Sequence, residues 1–176
     1  MENSSQRIVL TGFMGVGKST VARFLSFLLE CERIDLDTVI EESEKRKIAA
    51  IIETDGLTRF REIETENLRK ILQKSDAKII ALGGGAWTIE ENRNLIKSHD
   101  LTSIWLESNF QHCWRNILLS KRVRPLAQDK KQTRKLFEER QKVYCLADWH
   151  FIIRPELTSF EIAKQIAEEV FLIKFN

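Results

Sequence analysis

A chain of 176 residues, 43% of them hydrophobic, is the length of one domain and can bury a sizeable core. Its 28 basic and 26 acidic residues leave a formal charge of +2, too close to balance to advertise a nucleic-acid or membrane surface. No apolar run approaches membrane-spanning length, and the start Met1-Glu2-Asn3-Ser4-Ser5-Gln6 is polar where a secretory signal is basic and then apolar, so a cytoplasmic protein is expected.

Residues 7–11, Arg-Ile-Val-Leu-Thr, predict a short buried strand, and the apolar spacing of 21–29 predicts a largely buried helix. Between them Gly12-Phe13-Met14-Gly15-Val16-Gly17-Lys18-Ser19-Thr20 fits the phosphate-loop pattern G-x-x-x-x-G-K-[ST] in the strand-to-helix setting that pattern needs. Gly12, Gly15 and Gly17 permit backbone turns in which N–H groups face inward beside the positive end of a helix, an anion nest suited to a triphosphate. Lys18 would reach the β and γ phosphates as a mobile charge, and the Ser19 hydroxyl would ligate Mg²⁺ carried in with the nucleotide.

The end of a second strand is expected over 33–37, with Thr38 as N-cap of a helix through 39–42. Asp35 and Asp37 would then share one strand face at its C-terminal edge, where ligands bind in open α/β sheets. Residues 47–54 read as a short helix broken at Asp55-Gly56, and 57–73 as a longer one on which Arg61 and Glu64 can pair. A strand over 78–82 runs into Gly83-Gly84-Gly85, where the backbone can approach a ligand closely. Helices at 90–98 and 109–119 flank a strand at 102–106. Residues 120–133 crowd Lys121, Arg122, Arg124, Asp129, Lys130 and Lys131 into a stretch with little apolar pattern, which reads as a mobile lid. A helix at 134–146, a strand at 149–153 and an amphipathic helix at 159–172 close the chain. Five strands alternating with helices imply a parallel sheet covered on both faces.

Cys31, Cys113 and Cys145 are odd in number and show no Cys-x-x-Cys spacing, which argues against a disulfide framework or a zinc site. His99, His112 and His150 have no metal-ligand spacing, and the four tryptophans are scattered as packing residues are.

The phosphate loop, Asp35-x-Asp37-x-x-Ile40-Glu41, Phe60-Arg61-x-x-Glu64, Gly83-Gly84-Gly85, Arg124-Pro125-Leu126 and Arg140-x-x-x-Tyr144, in that order, resemble the shikimate kinase family from about Arg7 to the last helix. The resemblance implies the α/β fold of nucleoside monophosphate kinases. That is a three-layer α/β/α P-loop kinase over 1–176, with a five-stranded parallel sheet, a helical substrate-binding segment at about 37–74 and a lid at about 120–134. It implies an enzyme that moves the γ-phosphoryl of ATP, with Mg²⁺, to the 3-hydroxyl of shikimate, acting as a monomer on a small molecule with no nucleic-acid or membrane partner. By resemblance Gly12, Gly15, Val16, Gly17, Lys18, Ser19, Thr20 and Arg124 hold the nucleotide, and Ser19 and Asp35 hold the metal. Asp37, Arg61, Gly83, Gly84, Gly85 and Arg140 hold the acceptor, with Glu64 orienting Arg61; Lys18, Asp37 and Arg124 serve the transfer itself. Arg115 and the Arg154-Pro155 segment are weaker candidates for packing around adenine. Ala127 stands where the family usually has leucine, Lys142 where it often has proline, and Ala147-Asp148 comes one residue early. The rival readings are a small kinase of the same build for gluconate or a nucleoside monophosphate, and a nucleotide-dependent switch, although the guanine-reading Asn-Lys-x-Asp is absent from the sequence.

Overall fold

Three of the strands are buried on both faces, as parallel strands covered by helices must be. In a computed structural model, which describes residues 6–154 and 156–175, these are β1 (Ile8–Thr11), β3 (Ile79–Ala81) and β4 (Thr102–Glu107). The short β2 (Arg33–Asp35) and β5 (Trp149–Ile152) form the edges of one parallel sheet of order β2-β3-β1-β4-β5. Among the described residues seven α-helices flank it: α1 (Lys18–Leu28), α2 (Leu36–Glu44), α3 (Ile48–Lys74), α4 (Glu90–Ser98), α5 (Phe110–Leu119), α6 (Lys130–Tyr144) and α7 (Ser159–Glu169). This is the layered α/β architecture expected from the alternation of elements. The stretch 1–5 and Pro155 lie outside the described residues. None of the described helices is long and apolar enough to cross a membrane. Cys31, Cys113 and Cys145 are free.

Register brings the functional loops together. Asp35 pairs with Ala81, and Ala81 with Leu10, so β2, β3 and β1 end level with one another. Two residues further along each strand stand Asp37, Gly83 and Gly12, all at the C-terminal edge of the sheet.

Several boundaries differ from expectation for identifiable reasons. The second strand ends at Asp35, whose carboxylate accepts the amides of Asp37 (3.1 Å) and Thr38 (3.4 Å) and so caps α2. Thr38 is therefore not the cap, and Asp37 lies in a helical first turn rather than on the same strand face as Asp35. In the lid, Asp129 caps α6 by accepting the Gln132 amide at 2.7 Å, so the helix begins at Lys130 and takes in the last residues of the expected lid. The two helices expected at 47–54 and 57–73 run as one element with a break at Gly56. Its N-terminus is capped from outside, by Glu41 Oε1 accepting the Ile48 amide at 3.2 Å.

Gly56 has φ 85° and ψ 164°, a conformation essentially reserved for glycine, while a Cβ there would meet nothing within 4 Å. The cost of a side chain is thus backbone strain alone. Gly56→Ala is expected to lower unfolding free energy by about 1–3 kcal/mol in urea titration; unchanged stability would remove the strain argument.

Candidate active site

The site is built around the turn between β1 and α1. Gly15 and Gly17 have φ +82° and +104°, and a Cβ on Gly15 would stand 2.5 Å from the Cys113 carbonyl of α5. Asn116, one turn further along α5, donates from Nδ2 to the Gly15 carbonyl at 2.8 Å. The loop is held from outside while its inward amides and the free first-turn N–H groups of α1 face the cavity. Lys18 heads α1 and folds back so that Nζ donates to the carbonyls of Gly12 (2.8 Å) and Phe13 (3.2 Å). Burial lowers its pKa from 10.5 to about 8, with neighbouring Asp37 opposing the shift.

A cavity of about 1000 Å³ opens beside this loop. It is lined by Gly15, Val16, Gly17, Lys18, Ser19 and Thr20 on one side, and by Asp37, Arg61, Gly83, Gly84, Gly85, Arg124 and Arg140 on the other. These are nearly all the residues predicted for nucleotide and acceptor, and Lys18 and Arg61 face one space. Gly12 is the exception: at φ +137° it packs against the end of β4, where a Cβ would lie 2.7 Å from the Leu106 carbonyl, and it is not part of the cavity wall.

The Ser19 hydroxyl donates to Asp35 Oδ2 at 2.5 Å, so the two residues predicted to hold a metal converge through hard oxygen atoms. Arg61 and Glu64 pair at 2.5 Å, one turn apart on α3 as their spacing predicts. Glu64 is only 1% exposed, and its Oε1 has no hydrogen-bond partner among the described residues. Burial raises its pKa, against the pull of Arg61. The Arg61 guanidinium also lies 5.1 Å from the Phe60 ring centroid and covers Gly85, where a Cβ would overlap it. Gly83 has the same constraint, since its Cβ would stand 2.7 Å from both Asp37 Oδ1 and Glu64 Oε1.

Arg140 is buried on α6, donates to the Gly84 carbonyl at 3.0 Å and lies 5.8 Å from the Phe13 ring centroid. Tyr144, one turn on, donates its hydroxyl to the same carbonyl. The register of this helix thus turns Arg140 to the cavity. Asp148 secures the register by accepting from the Ser103 amide (2.8 Å) and hydroxyl (2.6 Å) of β4. Arg124, in the segment between α5 and α6, is partly buried and its Nε has no partner among the described residues. Burial lowers its pKa, and nearby Arg122 adds to the shift.

Seven lysines and arginines line the cavity against three carboxylates, a balance suited to polyanionic ligands. Two wall residues escaped the sequence reading. Asn116 carries no motif, and only the loop it touches marks it; Arg122, read as lid charge, lies 3.1 Å from Asp37. Arg115 and Arg154 are exposed and are not among the residues lining the cavity, while Pro155 is outside the described residues. The wall beyond the phosphate loop is instead formed by His112, Asn116, Ile153, Leu157, Thr158 and Ser159.

A glycine loop leading into a lysine-headed helix, set at the C-terminal edge of a parallel sheet and facing an arginine-lined pocket, defines a P-loop kinase. The family described as shikimate kinase matches residues 14–171, and the chain belongs to that family. The shikimate kinase of Lactococcus lactis subsp. cremoris (strain MG1363) is 40% identical over 163 residues, 92% of this chain and 96% of that one. Among solved structures, shikimate kinase from Acinetobacter baumannii in complex with shikimate has a TM-score of 0.88 at 29% identity, covering 99% of this chain and 97% of that one. Shikimate kinase from Aquifex aeolicus has a TM-score of 0.75 at 34% identity, covering 94% and 96%.

The buried lysine has a measurable signature. Its folded pKa of about 8 lies below the unfolded value of 10.5, so between these the unfolded chain binds the proton more tightly and stability rises with pH. From about pH 7 to about pH 10 the wild type should therefore gain stability relative to Lys18→Met in urea unfolding; a pH-independent difference would show that the ammonium is not destabilised by the fold.

Proposed function

We propose that this protein transfers the γ-phosphoryl group of ATP to the 3-hydroxyl of shikimate, giving shikimate 3-phosphate and ADP, as a step toward chorismate and the aromatic amino acids. The observation that carries the reading is that the phosphate-loop lysine and two arginines, Arg61 and Arg140, line one cavity. ATP is the co-substrate of the family to which the chain belongs. Gly15, Val16, Gly17, Lys18, Ser19 and Thr20 hold its phosphates, with Gly12 setting the entry of the loop. The acceptor lies across the cavity, its carboxylate on Arg61 and Arg140, whose planar guanidinium groups suit bidentate hydrogen bonding. Gly83, Gly84 and Gly85 let it approach the backbone.

The paired oxygens of Ser19 and Asp35 fit Mg²⁺, and these residues would hold it. When bound, the ion offsets charge on the phosphate oxygens. Phosphoryl transfer asks for alignment and charge stabilisation more than for covalent chemistry. Lys18 follows the β and γ phosphates, and Arg124 closes over the transferring group from the lid. Asp37 accepts a hydrogen bond from the reacting hydroxyl and orients it for in-line attack, its burial-raised pKa leaving it able to receive the proton as the new bond forms. The protein works as a cytoplasmic monomer on this reading.

ADP release from MgATP should depend on shikimate and not on gluconate or nucleoside monophosphates. Release that is indifferent to shikimate would refute the assignment. Lys18→Ala should cut turnover by several orders of magnitude, on the order of 10³-fold or more. Arg61→Ala should raise the KM for shikimate at least about tenfold with little change for ATP, because of the two substrates it is the acceptor that meets that guanidinium. Equal losses for both substrates would contradict the clamp.

A further inference from the structure

The lid carries a second arginine for which the proposed reaction has no use, and it sits on the residue that the acceptor needs. Arg122 Nη2 lies 3.1 Å from Asp37 Oδ2 and 3.8 Å from Glu41 Oε1. Among the described residues, Arg122 is the cation within ion-pair distance of Asp37. An acceptor hydroxyl aimed at Asp37 therefore meets a guanidinium already there. We propose that Arg122 gates the acceptor site, holding Asp37 until an acceptor hydroxyl displaces it. This inference rests on the reading of Asp37 as the acceptor-binding acid.

Three features make the contact suited to a gate. Glu41 is fixed independently, since its Oε2 pairs with Lys47 at 2.7 Å and its Oε1 caps α3. It cannot follow Arg122, but it gives the displaced guanidinium a second carboxylate close by, so the arginine changes partners without losing its charge compensation. Next, the segment from Ser120 to Asp129 is weakly anchored: its short 3₁₀ turn, Pro125–Ala127, contributes no buried residue. An ion pair to a packed helix is then a principal tether of that segment. Finally, Arg124 lies two residues along and reaches into the same cavity with its Nε unpaired. The pair formed by Arg122 restrains the segment that carries Arg124, so its release when the acceptor reaches Asp37 frees the phosphoryl-facing arginine to close.

The gate makes an unusual demand: removing a positive charge from the acceptor site should tighten the binding of an acidic acceptor. In calorimetric titration of the full chain with shikimate and no nucleotide, Arg122→Ala is expected to lower Kd by roughly three- to tenfold, the size of a partly exposed ion pair. Arg122→Lys, which keeps a cation within reach of Asp37, should restore a Kd within about twofold of wild type. Weaker binding by Arg122→Ala would make Arg122 an acceptor ligand and overturn the gate, as would an unchanged Kd. Hydrogen exchange gives an independent readout. Amides of residues 121–129 should exchange faster in Arg122→Ala, and faster in the wild type with shikimate alone; protection in either case would overturn the tether. If the wild type neither binds shikimate nor releases ADP in response to it, the acceptor reading falls and takes the gate with it. Binding by the wild type without tightening in the alanine variant disposes of the gate alone.

Discussion

The parallel pairing of β1 with β3 is the constraint on which the rest depends. It sets two glycine turns side by side: a Cβ on Gly84 would stand only 3.2 Å from the Met14 amide nitrogen. Had β3 been the strand at the edge and β2 the neighbour of β1, the acid pair rather than the glycine turn would adjoin the phosphate loop. The order β2-β3-β1 instead sets the glycine turn beside the loop, with Asp35 and Ala81 in register and Ser19 still reaching Asp35. Glycine is required there for space more than for dihedral freedom, because Asp37, Glu64 and Arg61 already fill the volume a side chain would take.

Burial gives this arrangement its electrostatic character. Lys18 is pushed toward its neutral form and Glu64 toward its protonated form, each by loss of water and each against the field of a charge of opposite sign. The arginines are held by contacts that cost them few donors. Arg61 rests on Phe60 and Glu64, and Arg140 on Phe13 and the Gly84 carbonyl, so several N–H groups of each remain to face the cavity. Preorganised cations of this kind lose little side-chain freedom when an anion arrives.

Much of this was legible in the chain because the pieces announce themselves locally. The glycine spacing before Lys18, the three-residue interval of Arg61 and Glu64, and the glycine run after an apolar strand each depend on a few consecutive residues. The misreadings have a different origin. Asp35 terminates β2 and caps α2 at once, and a two-residue alternation of acids cannot reveal that the chain turns helical between them. Asp129 likewise caps a helix whose first turn, Lys130-Lys131-Gln132, is too polar to show an apolar period. Asn116 and Arg122 act through partners about a hundred and 85 residues away in sequence, 101 and 85 positions by their numbers, and no local pattern encodes such contacts.

The same long-range contacts explain how the lid can be linked to both halves of the cavity without a dedicated hinge. The helix that enters the segment, α5, touches the phosphate loop through Cys113 and Asn116. The helix that leaves it, α6, touches the glycine turn through Arg140 and Tyr144. Both ends are therefore rooted in elements that contact the two sides of the cavity, while the segment between them carries little packing of its own. A displacement of either helix changes the spacing of those roots, and a segment with so few buried contacts has little to resist it. Coupling between the two sides then needs only the small shifts that packed helices allow.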